Sequence, residues 1–187
     1  MSLPQAVEFS HYLLKRFAEK GDVVLDSTCG NGHDTVFLAD LVGEKGEVKA
    51  IDIQQEAVEN TEERLREHDM LNRVELACGD HSRLDEYFSE SEFKAAIFNL
   101  GYLPGGDKSI ITEPETTLAA LKNVSGKIVP GGVLVVVAYP GHEGGGEELN
   151  EVLNWAENLD EDNFNVLHYH FINQPSDPPE VIAAARR

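Results

Sequence analysis

Cysteine is scarce in this 187-residue chain, which contains only Cys29 and Cys78. Two thiols are too few for a disulfide framework, and their separation does not match the paired spacing of a zinc site. Both are interpreted as small packing residues. A reactive thiol at Cys29 is the alternative, but no base is visibly paired with it in the sequence. We therefore predict no metal site and no thiol chemistry.

Long apolar runs are also absent, since no uninterrupted stretch approaches the roughly 18 to 20 residues that cross a bilayer. This excludes a membrane span. The first residues, MSLPQAVEFSHYLLKRF, lack the basic segment, apolar core and cleavage site of an export signal, so we expect a cytoplasmic location. The length suits one globular domain and is short for two, which predicts a single domain over 1–187.

Basic residues are few: 15 Lys and Arg stand against 34 Asp and Glu, for a net charge of -19. A protein that binds long duplexes is expected to show a basic stripe, so extended DNA is not an expected partner. One RNA stem-loop remains compatible with this charge, because a local cluster of Lys and Arg can create a positive surface on an acidic protein.

Apolar runs typical of strands alternate with helical stretches along most of the chain. Several of these runs, VLVVVAY among them, are continuously apolar, as expected when helices cover both faces of a parallel sheet. The pattern predicts an α/β, doubly wound fold, with a leading helix over 4–20 at the sheet edge near the site. The predicted strands cover 22–27, 47–53, 73–79, 94–100 and 132–139, and the predicted helices cover 33–41, 55–69, 82–88, 114–128 and 147–159.

Two further strands, over 164–172 and 178–186, follow the last helix with only a turn between them. With no room for a crossover helix, they are expected to pair antiparallel. A seven-stranded, mostly parallel sheet that ends in an antiparallel hairpin resembles the Rossmann-like class I methyltransferase fold.

The turn DSTCGNGHDT, at 26–35, joins the first strand to a helix. Its glycines suit a tight turn that a ligand approaches closely, but a dinucleotide site would carry a third glycine facing the pyrophosphate. S-adenosylmethionine fits better, because its cationic groups can meet acidic side chains and its carboxylate can meet backbone N–H groups. The residues of this turn predicted to bind the cofactor are Asp26, Gly30, Asn31, Gly32 and Asp34.

Carboxylates also end the next two predicted strands. Asp52 lies twenty positions after Gly32, where such folds place the carboxylate that accepts the ribose hydroxyls, and Gln54 can supplement it. Asp80 and His81 follow the third strand and are predicted to lie beside the adenine. Helix capping is the alternative role for Asp52 and Asp80, and His81 could instead have no ligand role.

The fourth predicted strand ends at Asn99-Leu100-Gly101-Tyr102. This run resembles the Asn-Pro-Pro-Tyr motif of amine-methylating enzymes, in which the Asn side-chain oxygen accepts a hydrogen bond from the target amine. Both prolines of the motif are missing here. Asn99 and Tyr102 are therefore candidate catalytic residues, although Asn is also a frequent turn residue at strand ends.

The fifth predicted strand leads into a glycine-rich loop that carries His142 and Glu143. Methyl transfer to an amine requires a neutral nitrogen, so His142 is a candidate proton acceptor; a loop histidine without that role is the alternative. Lys108, in the loop after Tyr102, could pair with an RNA phosphate or simply be solvated.

The segments DSTCGNGHDTVFLA, AIDIQ and AIFNLGYLPGGDKSI, together with TTLAAL, AYPGHEGG and FINQPSDPP, are similar to the YtqB-like rRNA-methylase family. The resemblance covers nearly the whole chain. The resemblance implies an S-adenosylmethionine-dependent tRNA wobble-uridine methyltransferase of the MnmM type, which methylates the amine of 5-aminomethyl-2-thiouridine. It therefore implies the anticodon stem-loop of tRNA as partner. The chain departs from the family at Pro179-Glu180-Val181, which affects any substrate or homodimer contact made by the last strand.

Four alternative functions remain open at this point. Methylation of rRNA or of a small-molecule amine would use the same cofactor, and the strong acidity favours the small molecule. A nicotinamide oxidoreductase would need a fuller glycine pattern. A noncatalytic binding module is disfavoured because both the cofactor and the acceptor positions carry suitable side chains.

Overall fold

Strands and helices alternate in the computed structural model, which describes residues 2–105, 111–141 and 144–187. The helices are α1 (Ala6–Phe17), α2 (His33–Val42), α3 (Gln55–Glu67), α4 (Asp85–Phe88), α5 (Pro114–Lys127) and α6 (Gly145–Glu157). The strands are β1 (Val23–Asp26), β2 (Glu47–Asp52), β3 (Val74–Cys78), β4 (Phe93–Asn99), β5 (Ile128–Ala138), β6 (Phe164–Tyr169) and β7 (Glu180–Arg186).

These strands form one seven-stranded sheet in the order β3-β2-β1-β4-β5-β7-β6. The first five strands pair in parallel, and β7 pairs antiparallel with both β5 and β6. The predicted fold class is confirmed, including the antiparallel hairpin. Because the strand order reverses between β1 and β4, the carboxyl ends of these strands border a crevice of the kind in which open α/β sheets bind ligands.

Apolar side chains pack on both faces of the sheet. On one face α1, α2 and α3 contribute Leu14, Leu38 and Leu65 to a core with alternate valines of β5, at 133, 135 and 137. On the other face α5 and α6 pack Leu121 and Trp155 against the sheet. The strands β4 and β5 are buried on both sides, which explains their continuously apolar sequences.

The first helix differs from its prediction in two respects. It begins at Ala6, so Pro4 precedes the helix and does not occupy its first turn; Gln5 has an extended backbone. It also packs across the face of the sheet against β5, β7 and β4, and not at the sheet edge. The helix does approach the predicted site, because His11 contacts Asp34 of the glycine turn.

The described part of the chain contains no helix that combines the length and apolar character needed to span a membrane.

Candidate active site at the carboxyl edge of the sheet

A cavity of about 680 Å³ opens at the carboxyl ends of the parallel strands. This volume lies within the usual range of small-molecule sites. Strand β1 leads into its floor, β2 and β3 end on one side, and β4 ends on the other. The cavity brings together nine of the predicted site residues: Gly30, Asn31, Asp34, Asp52, Gln54, Asp80, His81, Asn99 and Tyr102. His142, Glu143 and Lys108 lie outside the described residues.

The carboxylate of Asp52 is fixed by two backbone groups. Gly30 N donates to its Oδ2 at 2.9 Å, and Gln54 N donates to its Oδ1 at 3.0 Å. Each carboxylate oxygen can accept a further hydrogen bond, so Asp52 could receive a pair of hydroxyl groups from a ligand in the cavity. Gln54 is the N-cap residue of α3, and its side chain makes no capping hydrogen bond.

An apolar side chain that the sequence analysis did not select flanks this carboxylate. Ile53 lines the cavity and is 60% exposed, and it offers a surface on which a flat base can pack. Its position immediately after Asp52, which ends β2, was the feature of the sequence that could have identified Ile53 as a cavity residue.

The third strand supplies Asp80 and His81 to the same side. Asp80 Oδ1 accepts a hydrogen bond from Ser82 N at 2.8 Å, so the carboxylate caps a short 3-10 turn while the residue also lines the cavity. His81 Nδ1 lies 3.3 Å from the carbonyl oxygen of Ser27. Burial lowers the pKa of His81, which favours the neutral imidazole at this wall.

The two glycines of the turn have different roles. Gly30 lines the cavity with a φ of +52°, and a Cβ there would come no closer than 3.6 Å to another residue, at the Leu103 side chain. Gly32 does not line the cavity. Its φ is +78°, and a Cβ would lie 2.9 Å from the Cα of Thr61 in α3. Gly32 therefore allows the turn to pack closely against that helix.

Asn31 connects the turn to the loop on the opposite wall. Its Nδ2 donates to the carbonyl oxygen of Pro104 at 3.0 Å, and its Oδ1 accepts from Asn60 Nδ2 at 3.1 Å. Arg64 Nε donates to the Asn31 backbone oxygen at 2.6 Å. The side chain thus holds the loop after β4 against the turn after β1.

The acceptor wall is formed by the residues that follow β4. Asn99 N donates to Thr28 Oγ1 at 2.7 Å, and Asn99 Nδ2 donates to Asp34 Oδ2 at 3.0 Å. Tyr102 forms an isolated bridge with Ile111 and lines the cavity. Asn99 and Tyr102 therefore line the same cavity as the turn, and they follow a strand that lies on the other side of β1 from β2 and β3.

A buried carboxylate behind this wall was also missed by the sequence analysis. Glu148 of α6 is 2% exposed and accepts hydrogen bonds from Thr112 Oγ1 and Thr117 Oγ1, at 2.9 and 2.7 Å. Gly101 N in turn donates to Thr112 Oγ1 at 2.8 Å. Glu148 falls in the buried stripe of α6 with Leu149, and a carboxylate in such a stripe was the signal that could have identified it.

Asp26 does not line the cavity. Its side chain is fully buried, where Oδ2 accepts from Thr35 Oγ1 at 2.6 Å and Oδ1 accepts from Thr28 N at 3.2 Å. Burial, followed by repulsion from Asp34, raises its pKa from 3.8 to about 7. Its role in direct cofactor contact stays a prediction; its hydrogen bonds give it a structural role at the start of the turn.

The raised pKa of Asp26 predicts a specific pH dependence of stability. Between about pH 4 and pH 7 the folded state retains a proton that the unfolded state has lost, so this group's contribution to stability falls as pH rises through that window. Asp26→Asn removes this dependence. We expect its free energy of unfolding, relative to wild type, to rise with pH over the window by on the order of 4 kcal/mol, the equivalent of a pKa difference of about three.

Urea unfolding at several pH values between 4.5 and 8 measures this difference. Asp40→Asn, on the exposed side of α2, is the matched control and should run parallel to wild type. If the free energy of unfolding of Asp26→Asn had the same pH dependence as that of wild type, the carboxyl of Asp26 would be ionised in the folded protein across this whole pH range.

Cys29 has no visible chemical role. Its side chain is buried, and burial raises the pKa of its thiol, which keeps it protonated. This agrees with its interpretation as a packing residue.

Outside the cavity, three potential ligand side chains meet on the hairpin. His168, His170 and Glu180 bring their donor atoms within 4.8 Å of one another, and His168 Nε2 lies 2.5 Å from Glu180 Oε2. This geometry is accounted for by a histidine–carboxylate pair. The expectation that the chain holds no metal stays a prediction.

Comparison with known proteins identifies the family. A sequence model of the family described as "Putative rRNA methylase" matches residues 48–185. The chain belongs to this rRNA-methylase family. It is also 38% identical, over 97% of its own length and 70% of the relative's, to the chloroplastic tRNA (mnm(5)s(2)U34)-methyltransferase of Arabidopsis thaliana.

Solved structures of family-like proteins have the same fold. A "putative rRNA-methylase" from Clostridium thermocellum is 42% identical, with a TM-score of 0.97 and full coverage of both chains. A "putative methyltransferase" from Streptococcus mutans, solved in complex with S-adenosylhomocysteine, is 35% identical with a TM-score of 0.89, again over the full length of both. This member of the rRNA-methylase family is an S-adenosylmethionine-dependent methyltransferase.

The chemistry of the cavity fits this cofactor. A fixed carboxylate at Asp52 suits ribose hydroxyls, the exposed Ile53 and the neutral His81 suit a base, and the open backbone at Gly30 suits a close approach. These features follow three neighbouring strands, β1, β2 and β3, so the sheet itself sets their spacing.

Proposed function

We propose that this methyltransferase acts on RNA and methylates the amine of 5-aminomethyl-2-thiouridine at the wobble position of tRNA. The observation that carries the proposal is the hydrogen bond from Asn99 Nδ2 to Asp34 at the acceptor end of the cavity. With its amide nitrogen so engaged, Asn99 offers Oδ1 as an acceptor for an N–H group of the substrate. The name of the Arabidopsis relative, which refers to the same modified uridine, supports this substrate.

The residues divide between two tasks. Asp52, Gln54, Gly30, Asn31, Asp80 and His81 bind the nucleoside part of the cofactor, which when bound supplies an electrophilic methyl group on a sulfonium. Asn99 orients the acceptor nitrogen so that its lone pair points at that methyl group. Tyr102 borders the entering nucleoside, and His142 is the proposed acceptor of the proton that the nitrogen loses.

The strong negative charge requires that RNA meet a local cationic surface. The last turn of helix α1 carries Lys15 and Arg16, and one turn earlier Tyr12 is 55% exposed. Tyr12 and Lys15 line a shallow depression together with His11. An exposed aromatic ring beside cationic side chains suits a single-stranded loop, and we infer that this end of α1 faces the anticodon stem-loop.

Incubation with isotope-labelled cofactor tests the substrate class. One reaction contains bulk tRNA in which the amine of 5-aminomethyl-2-thiouridine is unmethylated. A second contains rRNA, and a third contains a metabolite extract. We expect label in the tRNA alone, and much less of it with Asp52→Ala at a cofactor concentration that does not saturate the variant. Label in rRNA alone or in metabolites alone would overturn the tRNA assignment while leaving the methyltransferase activity in place.

A further inference from the structure

A continuous line of hydrogen bonds connects the first helix to the acceptor wall. His11 Nε2 lies 2.6 Å from Asp34 Oδ1, and Asp34 Oδ2 accepts from Asn99 Nδ2 at 3.0 Å. Tyr139 lines the same cavity as Asn99. Asp34 was predicted from the sequence to bind the cofactor, but both of its carboxylate oxygens are directed to these protein groups.

The pairing with Asp34 determines which way the Asn99 amide faces. An amide side chain can rotate by half a turn and exchange its oxygen and nitrogen, but the rotated form would place an oxygen against the carboxylate. Asp34 is only 7% exposed, so solvent screens that repulsion weakly. The Asn99 backbone is separately held by Thr28 Oγ1. The carboxylate therefore keeps Asn99 Oδ1 available to the cavity.

The position of Asp34 is in turn set by His11. The imidazole ring of His11 stacks on Phe37 of α2, with ring centroids 3.8 Å apart and an angle of 5° between the planes. Stacking fixes the plane of the imidazole ring, so that Nε2 stays directed at the Asp34 carboxylate. His11 also lines the shallow depression on α1.

Other charged groups also face this pair. Glu8 and Lys15 line the depression with His11, and Lys15 Nζ lies 5.3 Å from the centre of the Phe37 ring. Asp26 is close enough for its pKa to be raised by Asp34, and repulsion from Asp34 also contributes to the raised pKa of Tyr139, after burial. The negative charge of Asp34 is therefore felt both in the core and at the acceptor wall.

The geometry points to a positioning role: Asp34, held in place by His11, orients the Asn99 amide toward the substrate amine. This inference rests on the proposed amine methylation. It assigns His11 and Asp34 to the acceptor half of the site, although one lies on the first helix and the other within the glycine turn.

Steady-state kinetics on tRNA and calorimetric binding of S-adenosylhomocysteine test the assignment together. For Asp34→Asn we expect kcat to fall by at least about tenfold, with the cofactor-product Kd within about threefold of wild type. His11→Ala should lower kcat in the same direction, and His11→Gln, which retains a donor, should recover most of it. His68→Gln, at the exposed end of α3, is the control and should match wild type.

Two kinetic outcomes would overturn the inference. One is an unchanged kcat in Asp34→Asn; the other is a loss of S-adenosylhomocysteine affinity as large as the loss of kcat, which would make Asp34 a cofactor ligand. If wild type does not methylate tRNA at all, the proposed substrate fails, and the inference is then tested by NMR of the Asn99 side-chain amide in isotope-labelled protein. We expect Asp34→Asn to shift those amide signals; unchanged signals would refute the orienting hydrogen bond.

Discussion

Asp52→Ala is expected to weaken S-adenosylhomocysteine binding by about a hundredfold, because the ribose would lose two hydrogen bonds to a charged group, worth together about 3 kcal/mol. The carboxylate is already oriented by Gly30 N and Gln54 N, so the ligand does not have to order it on binding. Isothermal titration calorimetry measures the change directly.

The control for this variant is Asp40→Ala, which removes the same charge from the exposed side of α2. Its affinity should equal that of wild type, which separates a contact effect from a change in the overall field. Wild-type affinity in Asp52→Ala would show that the ribose lies elsewhere in the cavity. Thermal unfolding of each variant shows whether the turn at Gly30 remains intact without its acceptor.

Asn99→Ala is expected to reduce kcat by about a hundredfold, because the acceptor amine would no longer be held in line with the methyl group. Asn99 ends β4, which lies on the other side of β1 from the strands that carry Ile53 and Asp80, so the affinity for S-adenosylhomocysteine should change by less than about threefold. Single-turnover methylation of tRNA, combined with calorimetry, separates the two effects.

Asn150→Ala, on the exposed face of α6, is the matched control for Asn99→Ala. An unchanged turnover in Asn99→Ala would remove this residue from the mechanism. A parallel loss of turnover and cofactor affinity would instead place Asn99 at the cofactor.

Most of the architecture was predictable because burial imposes a strong pattern. The continuously apolar segments correctly indicated β4 and β5, and the short link between 164–172 and 178–186 correctly indicated an antiparallel hairpin. The ends of elements were less predictable. Strand β5 begins at Ile128, before Gly132, and its pairing with β4 shifts register between Phe93 and Ala95; an irregularity of that kind depends on the partner strand.

Other boundaries moved for local reasons. Strand β7 begins at Glu180, after the pair Pro178 and Pro179, whose nitrogens have no hydrogen to donate to a ladder. Helix α3 ends at Glu67, and Asp69 has a φ of +56°, which ends the regular helical backbone before the predicted boundary. The proline pair is visible in the sequence, whereas the backbone conformation of Asp69 is visible only in the structure. The apolar pattern contains neither.

The site was predictable to the extent that strand ends determine it. Gly30, Asp52, Asp80 and Asn99 end or follow different strands, and parallel strands bring such residues to one edge. The directions of side chains within the turn were not predictable: Asp26 points into the core, and Asp34 points to His11 and Asn99. His11 comes from a helix whose packing against β5 no local pattern reveals.

The central claim is that this cavity methylates an RNA amine, and nucleoside mass spectrometry tests it most directly. Purified protein and S-adenosylmethionine are incubated with tRNA from cells that leave 5-aminomethyl-2-thiouridine unmethylated, and the digested nucleosides are compared with those of an Asn99→Ala reaction. The account predicts that this nucleoside is converted to its methylaminomethyl form by wild type and only slowly by the variant. A methyl group found on another nucleoside, or a modified uridine that stays unchanged while wild type binds the cofactor, would contradict it.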